Sequence, residues 1–226
     1  MTTGTLETDP EAMTSNADSR TSRPTHELVN AQHVDATANH AATRRRTAVA
    51  WIAGGALWAT AGLLYGTSGR QFRASSATFL AADVLLAAGI VGLLVLRPHG
   101  SSRPATAALV VALAARVVFA IAEMSGLVTG TDNTVLLPIA GLLTGSSTIA
   151  YGVVARLADR GLRVATVAMG LYFFVVMMPF AVAAGEPPAF ALAAWGLPAA
   201  LIGFTRNSST TPHPTTTGTR ATQRSS

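Results

Sequence analysis

Residues 78–96 read TFLAADVLLAAGIVGLLVL, an apolar run that contains a single charged residue, Asp83. A helix rises 1.5 Å per residue, so ~20 apolar residues are enough to cross the hydrocarbon layer of a bilayer. Comparable apolar runs occur at about 47–67, 105–128, 135–155, 164–184 and 187–204. Because backbone groups in lipid must be satisfied within their own element, each run is predicted to be a helix. The sequence therefore predicts an all-α membrane protein, a six-helix transmembrane bundle.

The composition of the whole chain agrees with a lipid environment. Of the 226 residues, 50% are hydrophobic and 12% are charged, whereas a typical soluble domain carries about 25% charged residues. The mean hydropathy is +0.40. This is more apolar surface than one soluble core of this length could bury, so the lipid bilayer is the first partner that the sequence predicts.

The two ends of the chain differ from the apolar middle. Residues 1–46 are polar and lack a sustained apolar period, and residues 205–226 are rich in Ser, Thr and Pro. Such segments bury too little surface to offset the entropy lost on ordering, so both are predicted to be disordered tails. Residues 47–204 then form the membrane domain, with short loops that leave no room for a folded domain outside the bilayer.

Several chemistries are excluded by the residues that the chain lacks. All sixteen basic residues are Arg, so no Lys is present to form a Schiff base with retinal or pyridoxal phosphate. No Cys is present for disulfides, thiolate metal sites or iron–sulfur clusters. The five His residues lie outside the predicted spans, which excludes a bis-His haem within the bilayer. We therefore predict no cofactor and no metal.

The chain has a formal net charge of +5, and the positions of its Arg residues predict its orientation in the membrane, not a nucleic-acid partner. The Arg residues punctuate the apolar runs and form no basic stripe with interleaved aromatics, so no nucleic acid is predicted. With the N-terminus inside, the outer loops hold Arg70 and Arg73, and the inner side holds Arg44, Arg45, Arg46, Arg97, Arg103, Arg156, Arg160, Arg163 and Arg206. By the positive-inside rule, both termini are predicted to be cytoplasmic. The Arg, Ala and Gly usage is typical of a GC-rich bacterial genome, which predicts a bacterial plasma membrane.

Three charged residues within the predicted spans are the main candidates for a functional site. Asp83 lies in the second span, and Arg116 and Glu123 lie on one face of the third, separated by two helical turns or ~10 Å. A charge in the bilayer costs roughly 2.5–3.5 kcal/mol on insertion scales, so such charges face the bundle interior or water and find partners. The trio predicts either a polar site or proton-linked gate, or a structural ion pair that locks two helices.

A second set of polar residues forms a stripe on the fourth span. Thr144, Ser147 and Tyr151 fall on one face of that helix. They could line a pathway, although Ser and Thr in membrane helices more often bond to their own turn or to neighbouring helices. In the fifth and sixth spans, Pro179 and Pro198 are predicted to kink the helix, because proline lacks the N–H of an interior turn.

Intramembrane catalysis is the least supported function. Gly145-Ser146-Ser147 resembles the start of the Gly-x-Ser-Gly motif of rhomboid proteases, which also have a serine in the fourth of six helices. However, Thr148 replaces the final Gly, and no His lies in a predicted span to act as the base that a serine nucleophile needs. We therefore predict that the protein is not an enzyme.

Two function classes remain. The first is transport or sensing of a small solute or ion through the Asp83, Arg116 and Glu123 cluster. The second is a non-catalytic scaffold or accessory subunit that packs against a membrane-protein partner or a second copy through small-residue faces. Transport predicts charges that face a wet cavity, whereas a scaffold predicts a dry bundle with its charges mutually paired.

Overall fold

A computed structural model describes residues 23–66, 72–155, 159–184 and 187–208. In this described part, six helices are long and apolar enough to cross a membrane. They are α1 (Arg23–Tyr65), α2 (Phe72–Leu96), α3 (Arg103–Thr129), α4 (Leu136–Val154), α5 (Arg160–Ala184) and α6 (Ala189–Ser208). Each coincides with one predicted span, so the predicted all-α, six-helix fold is confirmed.

The first helix begins earlier than the sequence predicts. Residues 23–46, for which we predicted disorder, are helical and continuous with the first span. By length and hydropathy alone, the part of this helix that could cross a membrane is Thr37–Tyr65. Extending an existing helix avoids the cost of nucleation, and Ala, Glu and Gln in this stretch are good helix formers. Residues 1–22 and 209–226, the outer parts of both predicted tails, lie outside the described residues.

The described part of the chain divides between residues 42 and 43 into two units, and the membrane-embedded site lies in the second unit. Within it, consecutive helices from α2 to α6 pack against each other. The α1 helix packs on α2, where Ser75 Oγ donates a 2.9 Å hydrogen bond to the Ala61 carbonyl. It also packs on α6, where Gly55 meets Gly196 backbone to backbone. The six helices therefore form a ring that closes between α1 and α6.

Aromatic side chains fill the middle of this ring. The Trp58 ring lies 4.9 Å from Phe79, 5.6 Å from Phe119 and 4.5 Å from Trp195, measured between ring centroids. The first two pairs are edge-to-face, the arrangement that aromatic quadrupoles favour. Four helices thus contribute to one aromatic cluster, and its four rings line the candidate site.

Helix α5 contains a wide turn at the position where the sequence predicted a kink. Residues Phe173–Met177 are π-helical, and the N–H of Met178 donates to the carbonyl of Phe173. Pro179 follows directly, and its ring would clash with the carbonyl of Val175 in a regular α-turn. The π-turn relieves that clash, and such turns are frequent at functional sites. In α6, Pro198 lies inside a helix that extends from Ala189 to Ser208.

Candidate functional site

Arg116 lies at the centre of the helix ring, with only 2% of its surface exposed. Its Nη1 pairs with Oδ1 of Asp83 on α2 at 3.0 Å. Its Nη2 donates to Oγ1 of Thr144 on α4 at 2.6 Å. The guanidinium is therefore oriented by hydrogen bonds to helices on both sides of its own.

Three aromatic rings surround the same guanidinium. The Arg116 Cζ lies 5.3 Å from the ring centroid of Trp58, 4.6 Å from Phe119 and 5.1 Å from Trp195. Cations at this distance from aromatic faces are attracted by the ring quadrupole, and the attraction grows when water is excluded. With these contacts, one side chain on α3 touches α1, α2, α4 and α6.

Two buried polar groups beside Arg116 have no hydrogen-bond partner among the described residues. One is Oδ2 of Asp83, so the Asp83–Arg116 pair uses only one carboxylate oxygen. The other is the indole N–H of Trp58. Buried polar atoms in proteins nearly always have a partner, which is often water or a ligand. Of the two, Trp58 lines the cavity described below, whereas Asp83 does not, so only the indole N–H marks a place where a molecule bound there would gain a hydrogen bond.

Glu123 is buried, as predicted, but it does not pair with Arg116. Its carboxylate hydrogen-bonds with Ser76 on α2. The charged side chains that act on it in the described part of the chain are the carboxylates of Asp83 and Asp132. The Arg116 side chain extends toward α2, where its Nη1 lies 3.0 Å from Oδ1 of Asp83, and not along α3 toward Glu123. Glu123 is therefore a buried acidic residue whose charged neighbours are also acidic.

A cavity of about 440 Å³ connects these residues to one end of the bundle. Arg116 and Thr144 lie at its inner limit, Glu123 and Ser76 in its wall, and Asp132 in the α3–α4 loop at its outer end. We call this the Asp132 end. The opposite end, to which residues 97–102, Ala155 and Asp159 belong among the described residues, is called the His99 end. All six helices contribute to the wall, which is mainly apolar.

Asp132 is held at the outer end of the cavity by a long-range contact. Tyr65, the last residue of α1, donates a 2.6 Å hydrogen bond to Oδ2 of Asp132. This bond joins α1 to the α3–α4 loop across the mouth of the cavity. It also fixes a second acidic group on the route to Glu123.

The predicted stripe on α4 continues the polar groups beyond the cavity. Thr144, Ser147 and Tyr151 are all buried. Thr144 accepts from Arg116, Ser147 donates to the Thr144 carbonyl at 3.1 Å, and Tyr151 Oη lies 3.5 Å from Nδ1 of His99. Polar side chains therefore follow one another from Arg116 to the His99 end.

His99 was not among the predicted site residues, yet it is buried in the loop between α2 and α3. Its Nε2 lies 3.0 Å from Oγ1 of Thr106, and its ring packs edge-to-face on Tyr151. Burial, and then the positive charges of Arg97 and Arg206, hold the pKa of His99 below its usual value of 6.5. The neutral ring is thus the form that the fold favours.

We expect the contribution of His99 to the stability of the protein to fall as the pH is lowered through 6.5, the usual pKa of His. The unfolded chain then binds a proton at this side chain before the folded chain does, so protonation favours unfolding. Above that pH the contribution is fully present. The melting temperature of the detergent-solubilised wild type minus that of His99→Gln, measured at pH 7.5 and at pH 5.5, isolates this contribution, and the difference should be smaller at pH 5.5. The control His40→Gln, at an exposed position, should follow the pH dependence of the wild type. If His99→Gln followed it equally well, the assignment would be contradicted.

The aromatic residues of the site were also missed by sequence reasoning. Trp58, Phe119 and Trp195 lie in apolar runs, where a large hydrophobic side chain is ordinary and carries no pattern of its own. Ser76 was missed because it precedes the predicted start of its span at residue 78. The one available signal was that Trp58 and Trp195 lie at the middle of their spans, whereas tryptophans in membrane proteins concentrate at the interfaces.

Comparisons with protein-family models, with curated proteins and with solved structures found no match to this chain. The candidate function therefore rests on the geometry of the cavity and of the charges around it.

Proposed function

We propose that this protein binds a small solute or ion in the cavity and moves or senses it across the membrane. The observation that carries the proposal is a cavity of about 440 Å³ that leads from the Asp132 end to Arg116 at the centre of the bundle. The buried stripe Thr144, Ser147 and Tyr151 continues in polar side chains toward the other end. Polar groups at membrane depth that line a cavity are typical of a solute pathway.

The energetic cost of the site supports the same proposal. A six-helix bundle can be stabilised by apolar packing alone, and replacing a buried ion pair by apolar residues is often neutral or stabilising. This chain nevertheless keeps Asp83, Arg116 and Glu123 inside, and Glu123 has no basic partner among the described residues. Because Glu123 has no basic partner that would stabilise it in the fold, a ligand that binds reversibly is the best explanation for its burial.

The proposed orientation places the Asp132 end outside the cell. It follows from the excess of Arg near the ends of the spans on the opposite side, which the positive-inside rule assigns to the cytoplasm. A bacterial plasma membrane with both termini cytoplasmic is the corresponding location. The cavity would then accept its solute from the outer side. The proposed activity involves binding and movement, with no covalent step and hence no enzyme.

Accessibility of the cavity to water tests the proposal, because the chain has no natural Cys and a single Cys can be placed at will. Ser76 lines the cavity beside Glu123, whereas Ser75 is equally buried but donates to the Ala61 carbonyl on α1. We expect Ser76→Cys to react with membrane-impermeant methanethiosulfonate reagents and Ser75→Cys to remain unreactive. Cationic and anionic reagents should both be used, applied from either side of oriented vesicles.

The same pair of variants tests the alternative, a non-catalytic scaffold or accessory subunit. The contacts of Arg116 with four other helices are what a structural lock would require. A scaffold has a dry interior, so both variants would then resist the reagents in native membranes. Equal protection of Ser76→Cys and Ser75→Cys would therefore overturn the solute proposal and leave the scaffold.

A further inference from the structure

We propose that the ligand of the cavity is an apolar organic cation, such as a quaternary ammonium or a hydrophobic amine, held by the Glu123 carboxylate and by aromatic faces. This inference rests on the proposed function, because it names the class of solute that the same cavity takes. The charge of the cavity wall, its aromatic faces and the volume of the cavity all favour such a ligand.

The charged side chains of the cavity wall carry a net negative charge once the Asp83–Arg116 pair is counted as neutral. Among the described residues of its wall, the titratable or charged side chains are Tyr65, Arg116, Glu123 and Asp132. Asp83 lies behind Arg116 and neutralises it at 3.0 Å. Tyr65 donates its hydroxyl to Asp132 and adds no charge. Two carboxylates, Glu123 and Asp132, therefore remain without a basic partner in the wall, so the complementary ligand is positive.

Arg116 is a poor anchor for a competing anion. Its guanidinium is already hydrogen-bonded to Asp83 and Thr144, and three aromatic rings lie within 5.3 Å of its central carbon. An anion at Arg116 would compete with Asp83 and pass the carboxylates of Asp132 and Glu123 on its way. Like-charge juxtaposition of this kind disfavours binding.

The aromatic walls add a preference for a particular kind of cation. Trp58, Phe79, Phe119, Phe173 and Trp195 all line the cavity. Quaternary ammonium groups are recognised in proteins by such aromatic faces, because the ring quadrupole attracts the charge while the ring contacts the methyl or methylene groups. A bare metal ion is a weaker fit, since no group of three His, Cys, Asp or Glu side chains that could hold one occurs in the described part of the chain.

The volume of the cavity suits an organic molecule. At about 440 Å³ it falls in the range of roughly 300–1,000 Å³ that holds drug-sized ligands. A buried carboxylate with acidic neighbours needs a positive partner, which a proton or an organic cation can supply. The two should compete, so that uptake of the cation releases a proton from Glu123 and acidification releases the cation.

Binding of tetraphenylphosphonium to the purified full-length protein tests this inference, with the anion tetraphenylborate as a probe of the same shape and opposite charge. Benzyltrimethylammonium serves as a second, smaller cation. Calorimetry would measure the dissociation constant, and the fluorescence of Trp58 and Trp195 in the cavity wall would report occupancy. We expect the cations to bind at pH 8.5, at least about tenfold more tightly than the anion, and to bind more weakly as the pH falls.

Variants of Glu123 test whether this residue is responsible for cation binding and for its pH dependence. Glu123→Gln is expected to weaken cation binding about thirtyfold or more, as loss of one partner of a buried charge pair does, and to remove the pH dependence. Glu123→Asp keeps the charge and should keep both. If Glu123→Gln does not fold, the wild-type preference for cation over anion and its pH dependence still decide the matter.

The outcomes separate this inference from the proposed function. If Ser76→Cys is labelled but the anion binds as tightly as the cations, or neither cation binds, the ligand class is wrong and the solute cavity stands. If Ser76→Cys is also protected, the proposed function fails as well. Equal cation affinity in wild type and Glu123→Gln would overturn the role of Glu123.

Discussion

Replacing Arg116 by Met is expected to lower the free energy of unfolding by about 3–5 kcal/mol, the cost of leaving one member of a buried ion pair without its partner. Asp83 would remain buried, with 1% of its surface exposed and neither carboxylate oxygen paired. The Thr144 hydroxyl would lose the 2.6 Å hydrogen bond that it accepts from Arg116 at the same time. Unfolding of the protein by SDS in mixed micelles would measure the change.

The double variant Asp83→Asn with Arg116→Met should recover most of that loss. It removes both charges, so that no uncompensated charge remains in the bundle, and such complete replacements are often neutral or stabilising. Arg103→Met, at an exposed position on the same helix, is the matched control and should change stability little. If Arg116→Met lowered the free energy of unfolding by less than about 1 kcal/mol, as for exposed ion pairs, Arg116 would not stabilise the bundle as a buried ion pair does.

The six spans could be predicted because membrane insertion depends on local composition. Any run of ~20 apolar residues must be helical in lipid, whatever its neighbours are. For the same reason Asp83, Arg116 and Glu123 could be singled out: a charge is conspicuous in such a run, and the bilayer forces it inward. The structure places all three in the interior, with at most 7% of their surface exposed.

The pairing within that trio could not be predicted, because it depends on how the helices are arranged. Along the sequence, Arg116 and Glu123 share one face of α3, and Asp83 could join them only if α2 and α3 are neighbours. In the structure, the ring order places Asp83 beside Arg116 and leaves Glu123 with Ser76 and other acids. The cavity, the Trp58 and Trp195 contacts with Arg116 and the burial of His99 likewise depend on residues far apart in the chain.

A substitution at the crossing of α1 and α6 is also expected to lower the stability of the protein strongly. A Cβ added at Gly55 would lie 2.6 Å from the Gly196 carbonyl oxygen and 2.7 Å from the Ala200 nitrogen. A Cβ at Gly196 would meet the Gly55 carbonyl and come within 3.0 Å of the Ala59 nitrogen. These are backbone atoms, which no side-chain rotation can move aside. The two helices must therefore separate to admit any larger residue.

We expect Gly196→Leu to destabilise the protein by about 3 kcal/mol or more, at the upper end of what overpacking costs. Gly196→Ala should have the same sign and a smaller size, and Ala114→Leu at an exposed position of α3 is the control that should be tolerated. SDS unfolding measures the loss, and wild-type stability of Gly196→Leu would mean that α1 and α6 do not cross this closely in the membrane.

Separation of α1 and α6 should also change the candidate site, which gives this prediction a second readout. Trp195 directly precedes Gly196, Trp58 lies one turn after Gly55, and their rings are 4.5 Å apart at the guanidinium of Arg116. Moving the helices apart would pull these rings from each other and from the cation, because each ring is fixed to its own helix. Gly196→Leu protein that still folds should therefore show altered tryptophan fluorescence and weaker binding of tetraphenylphosphonium, although no residue that contacts the ligand has been changed.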